Sequence, residues 1–155
     1  MKLTNSIAIM ALTTAFASAD IEKEVRLGDC PEPVRKTLEA NAREGRIDEI
    51  EMISIADKQI YIGEVDLPED IDLKIFVNGD GSLMKTREDV RGVAIPQFVT
   101  NAVKEMGGMA DDVEKEIVGK DVTYRVDVEL TGKPDLEVVF DSEGNVVSKT
   151  EEIED

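Results

Sequence analysis

The chain repeats itself, and that feature constrains its fold more than any other. Residues 72–89 (DLKIFVNGDGSLMKTRED) align without a gap on residues 135–152 (DLEVVFDSEGNVVSKTEE) at an offset of 63. Leu73 falls on Leu136, Ile75 on Val138, Val77 on Phe140, Gly81 on Gly144 and Leu83 on Val146. The same offset carries back through Tyr61 and Tyr124, Val65 and Val128, and Gly45 and Gly108. Further upstream the offset becomes 65, pairing Pro31 with Pro96 and Val34 with Val99. An ordered series of matched apolar positions of this kind marks two copies of one supersecondary unit. The units are placed at residues 25–89 and 90–152.

Within each unit the hydrophobic period changes in one order. Pro31-Glu32-Pro33 opens a helix with Val34, Leu38 and Ala42 on one face, and Pro96 opens another with Val99, Ala102, Val103 and Met106. Proline suits the first helical turn, where its missing N–H has no partner to lose. Strands follow. Stretches 50–55 and 113–118 form the first pair. Tyr124, Val126, Val128 and Leu130 then alternate with Arg125, Asp127 and Glu129, as do Leu73, Ile75 and Val77 with Lys74 and Phe76. Period two with one polar face predicts antiparallel strands covered on one side only. Asn78-Gly79-Asp80-Gly81 and Asp141-Ser142-Glu143-Gly144 read as hairpin turns. The expected fold class is therefore α+β: a tandem repeat of one helix followed by about four antiparallel strands, with the helices packed on one face of the sheet or sheets.

The N-terminus adds an address. Lys2, an apolar run over 7–16 and the small-x-small site Ala17-Ser18-Ala19 predict a signal peptide over 1–19, and hence a periplasmic or secreted protein. The run is too short to span a bilayer, so no membrane insertion is expected after cleavage. A net charge of −17 disfavours nucleic acid, which requires clustered Lys and Arg. The single Cys30 forms no internal disulfide and is either a half-buried thiol or a link between chains, which leaves the oligomeric state open.

The motif order resembles the PepSY-like, or β-lactamase-inhibitor-like, family of exported bacterial domains. The residues that carry the resemblance are Ile95-Pro96-Gln97-Phe98-Val99, Tyr124-Arg125-Val126-Asp127-Val128, and the stretch from Leu136 to Gly144. The first unit matches through Pro31, Tyr61 and Leu73 to Gly81. What the resemblance implies is binding or inhibition of another exported protein, or a sensing role at the envelope.

Catalysis is not expected. The chain has no His, and its lone Cys has no base partner, which removes Ser-His and Cys-His nucleophiles and ordinary zinc sites. No cofactor is implied. The expected function is that of a non-catalytic binding module, possessing an open acidic sheet face made by Lys74, Phe76, Arg125, Asp127, Glu129, Glu137 and Val139. Phe76 and Val139 are apolar where the alternation calls for polar residues, which makes them candidate anchors for a partner. The alternative is a calcium or small-ligand accessory protein using Asn78, Asp80, Asp141 and Glu143, although those turns lack the closing bidentate Glu of an EF-hand loop.

Overall fold

The computed structural model describes residues 21–151. The segment 1–19, expected from sequence to be a signal peptide, lies outside the described residues. In chain order the elements are β1 (Ile21–Glu24), α1 (Glu32–Asn41), β2 (Arg46–Ile55), β3 (Lys58–Leu67), β4 (Ile71–Asn78), β5 (Leu83–Asp89), α2 (Gln97–Glu105), β6 (Gly108–Val118), β7 (Asp121–Leu130), β8 (Leu136–Asp141) and β9 (Val146–Glu151). The nine strands form one antiparallel sheet in sequence order, each bonded to its chain neighbour.

This corrects the expected fold class. Strands hold 55% of the described residues, and helices, with two short 3-10 turns at 27–29 and 92–94 included, hold 19%, so the protein is one large, mainly-β sheet rather than a repeated helix-and-strand fold. The reason is strand length. β2 and β6 start at Arg46 and Gly108, well before the apolar stretches that announced them, and each absorbs a bulge, at Ile47/Glu49 and Ala110/Asp112. A bulge breaks the strict alternation that makes a strand visible in sequence. The helices, of 10 and 9 residues, only roof parts of the sheet.

Both helices roof the same face. The cross-strand row Leu73–Glu88–Lys115–Tyr124–Phe140 runs from β4 to β8, and it begins in the hydrophobic cluster under α1 and ends in the one under α2. Under α1, Val34, Leu38 and Ala42 pack on Ile50, Tyr61, Val65, Leu73, Ile75 and Val77. Under α2, Val99 and Val103 pack on Val113, Val126, Val128, Leu136, Val138 and Phe140. Cys30 is a buried free thiol in the first cluster. Its Sγ lies 3.5 Å from the Arg26 carbonyl, and burial, followed by the nearby Asp29, pushes the thiol's pKa up. A thiol in that state is a small hydrophobe and a poor nucleophile.

The two clusters share no residue, yet the sheet runs through without a gap between them. β5 and β6 join them through Thr86–Ile117, Arg87–Glu116, Glu88–Lys115 and Asp89–Glu114. The opposite face of the sheet carries no helix among the described residues.

Candidate functional site

Pairing places every sequence-predicted face residue on that helix-free side. Lys74 lies in the row Glu49–Glu64–Lys74–Arg87–Glu116–Thr123–Asp141, which crosses seven strands from β2 to β8. Phe76 lies in the row Glu24–Glu51–Ile62–Phe76–Lys85. Arg125 stands between Glu114 and Val139, Asp127 between Asp112 and Glu137, and Glu129 opposite Met109. Phe76 and Val139, one on each half of the sheet, are both half-buried. The period-two pattern of β4, β7 and β8 produces this outcome, since successive side chains point to opposite faces.

The middle of this face is a chain of ion pairs that sequence reading missed. Glu116 Oε2 accepts from Lys85 Nζ at 2.8 Å and from Arg87 at 3.0 Å, joining β5 to β6. Arg87 Nε, buried and without a hydrogen bond of its own, lies 3.5 Å from Glu114. Arg125 approaches the same Glu114 at 4.0 Å and also bonds Glu137 on β8. The Lys85 ammonium sits 4.8 Å from the centre of the Phe76 ring, with the Arg87 guanidinium at 5.8 Å. Phe76 is therefore partly covered by the protein's own cations, an attraction of the ring quadrupole for positive charge. These side chains are 20–32% exposed, dry enough for the pairs to matter more than ordinary surface bridges.

Charge is distributed unevenly along the row. Burial pushes the Glu114 carboxyl above its ordinary value; Arg87 and Arg125 oppose that, while Asp112 and Asp89 add to it. Asp89 is raised by burial and then by Asp112. Glu51, on the β1–β3 side, is raised by burial and then by Glu22, Glu49 and Glu64. Glu116 goes the other way: burial alone would raise it, but the bonds from Lys85 and Arg87 outweigh that and hold it down. A carboxyl with a raised pKa takes up its proton in the folded state first, so stability increases as pH falls through that raised value. A carboxyl with a lowered pKa contributes stability that is lost only as pH falls through its depressed value. Melting followed by circular dichroism is therefore expected to show Tm rising as pH falls from neutrality into the ordinary carboxylate range, and falling once pH drops below that range. A Tm that falls steadily from neutrality would contradict the burial of Glu114 and Asp89.

Asp89, Asp112 and Glu114 bring their carboxylate oxygens within 4.8 Å of one another, the one trio of potential metal ligands among the described residues. Two of the three already have cationic neighbours: Asp89 bonds Arg91 at 2.9 Å, and Glu114 faces Arg87 and Arg125. A hard cation would have to compete with those guanidinium groups for the same oxygens. Of the turn residues proposed for calcium, Asn78, Asp80 and Asp141 are engaged through their side chains, and Glu143 takes part through its backbone amide. Asp80 Oδ1 accepts from the Ser82 amide at 2.8 Å and its hydroxyl at 2.6 Å, and Asn78 Nδ2 donates to Ser82 Oγ at 2.9 Å. Asp141 Oδ1 accepts from the amides of Glu143 and Asn145, both at 2.9 Å, and its Oδ2 from the Asn145 side chain at 2.8 Å. These are the side-chain-to-backbone bonds of tight turns, and they account for the residue types there.

Compared by sequence, the chain matches no family model and no curated protein. Compared by fold, it is similar to solved structures from Bacteroides. One is a protein of Bacteroides eggerthii described as periplasmic, with a TM-score of 0.64 and 14% identity over 79% of this chain and 88% of that one. Another is a DUF2874 family protein of Bacteroides uniformis, with a TM-score of 0.63 and 18% identity over 79% and 89%. A BLIP-like protein of Bacteroides fragilis has a TM-score of 0.62 and 12% identity over 79% and 86%. At these identities the likeness is one of fold: the chain has a BLIP-like fold.

Proposed function

We propose that this chain is an exported, non-catalytic binding module of the periplasm, and that the helix-free face of its sheet takes hold of another exported protein. The observation that carries this reading is the asymmetry of the sheet. One face is roofed by α1 and α2, whereas the other presents Phe76, Val139 and Ile62 half-buried among charged side chains over strands β2 to β8. A broad face of mixed apolar and charged groups, held in register by hydrogen bonding along every strand, is suited to protein contact. Support also comes from the signal-like N-terminus, from the resemblance of the repeated units to PepSY-like domains, and from fold neighbours described as periplasmic and BLIP-like. The Asp80 and Asp141 carboxylates are engaged within their own turns, which leaves the binding-module reading favoured over the calcium one.

The test is site-specific photocrosslinking in cells that export the protein. A benzophenone amino acid at Val139 is expected to give a discrete higher-mass adduct, and the same group at Lys36 on α1 is expected to give none.

A further inference from the structure

The two halves of the helix-free face differ in how their charges are compensated, and the difference points to a particular kind of partner. Over β5 to β8, Lys85, Arg87 and Arg125 are interleaved with Glu114, Glu116 and Glu137, so acids and bases meet within the protein. Over β1 to β3 the pattern is different. Glu22, Glu24, Glu49, Glu51 and Glu64 share this face through the pairs Glu22–Ile53, Glu24–Glu51 and Glu49–Glu64. Among the described residues, Lys74, 2.8 Å from Glu64, is the one cation bonded to any of these five.

The same patch is apolar where it should be polar. Ile53, Ile60 and Ile62 all point to the helix-free side, by the pairs Ile53–Ile60 and Ile62–Phe76. Among the described residues no helix covers Ile53, which is only 9% exposed, and Ile60 and Ile62 are half-buried. An isoleucine row rimmed by carboxylates that repel one another is unfavourable in isolation. A segment bringing lysine or arginine together with aliphatic side chains relieves both faults. A second copy meeting it with the same face does not, because that face presents the same acids.

We infer that the helix-free face of β1–β3 is the docking site for a basic segment of the partner, its Lys or Arg side chains meeting Glu49, Glu51 and Glu64 and its aliphatic side chains lying on Ile60 and Ile62. This rests on the binding-module reading above and locates the contact within the face.

A fluorescein-labelled eight-residue peptide alternating Lys and Leu, titrated onto the purified full chain by anisotropy, tests it. The triple variant E49Q/E51Q/E64Q is expected to bind about tenfold more weakly. The charge-matched control E39Q/E44Q/E105Q, on exposed acids of the helix side, is expected to change affinity less than about twofold. I62S is expected to weaken binding several-fold with every charge intact. If the triple variant does not fold, E24Q/E51Q replaces it, with a smaller loss of the same sign. Equal weakening by both triples overturns the inference, because net charge alone would then explain binding. Loss with V139S but not with I62S also overturns it, moving the contact to β7–β8 while leaving the binding-module reading intact. Absence of binding at low salt overturns it as well. The photocrosslinking result at Val139 bears on the binding-module reading separately.

Discussion

Gly81→Ala is expected to destabilise the protein by roughly 3 kcal/mol, and Gly144→Ala by roughly 1–2 kcal/mol, although the two glycines close equivalent hairpins. Both sit in the left-handed region, at φ +88° and +89°, so each alanine carries the same conformational penalty. The surroundings set them apart. A Cβ on Gly81 would lie 2.4 Å from Pro33 Cβ and 2.7 Å from its carbonyl carbon, which is backbone at the start of α1 and cannot yield. The Gly81 carbonyl also accepts from Thr37 Oγ1 at 2.6 Å, tying the turn to the same helix. A Cβ on Gly144 meets the Phe98 side chain at 3.0–3.1 Å, which can shift by a few tenths of an ångström. Urea unfolding of the two variants measures the difference. Equal losses would mean that α1 is not held against the β4–β5 turn as described.

The second large effect separates neighbours on one strand. Phe140→Ala is expected to cost about 3–5 kcal/mol, because the ring is fully buried and packs against Phe98 at 6.2 Å between centroids. Val139→Ser, one residue earlier, is expected to cost less than about 1 kcal/mol, because its side chain is half-buried on the helix-free face. A large loss for V139S would mean that this face is covered by something in the folded protein.

Much of this arrangement is visible in the sequence, and the reasons for the rest are physical. Pro31 and Pro96 mark the helix starts because proline is favoured there, and α1 and α2 begin at Glu32 and Gln97. The clean alternation of 71–77, 124–130 and 136–140 sorts core from surface, so Lys74, Phe76, Arg125, Asp127, Glu129, Glu137 and Val139 share a face. The extent of the sheet is not visible. Arg46-Ile47-Asp48-Glu49 and Gly108 to Asp112 carry no alternating apolar pattern, because bulges shift the register there and edge-proximal ends need little burial. That hidden length turns an expected α+β fold into a mainly-β one.

The ion-pair chain is hidden for a different reason. Arg87 and Glu116 stand 29 residues apart and meet only because β5 pairs with β6, a junction that no local pattern announces. The isoleucine patch breaks the polar-outside rule on which the alternation argument depends. Ile53, Ile60 and Ile62 therefore look like core until the register of β2 and β3 is known. Positions where local pattern and fold disagree in this way are candidate functional positions.

The photocrosslinking comparison between the two sides of the sheet tests the central claim most directly. A photoreactive side chain at Val139 or Ile62 should yield a partner adduct in the exporting cell that disappears when cell extracts are diluted into high salt before irradiation. The same group at Lys36 or Glu39 on α1 should yield only the uncrosslinked chain. Adducts from the helix side, or none from either side, would contradict the assignment of the helix-free face as the binding surface.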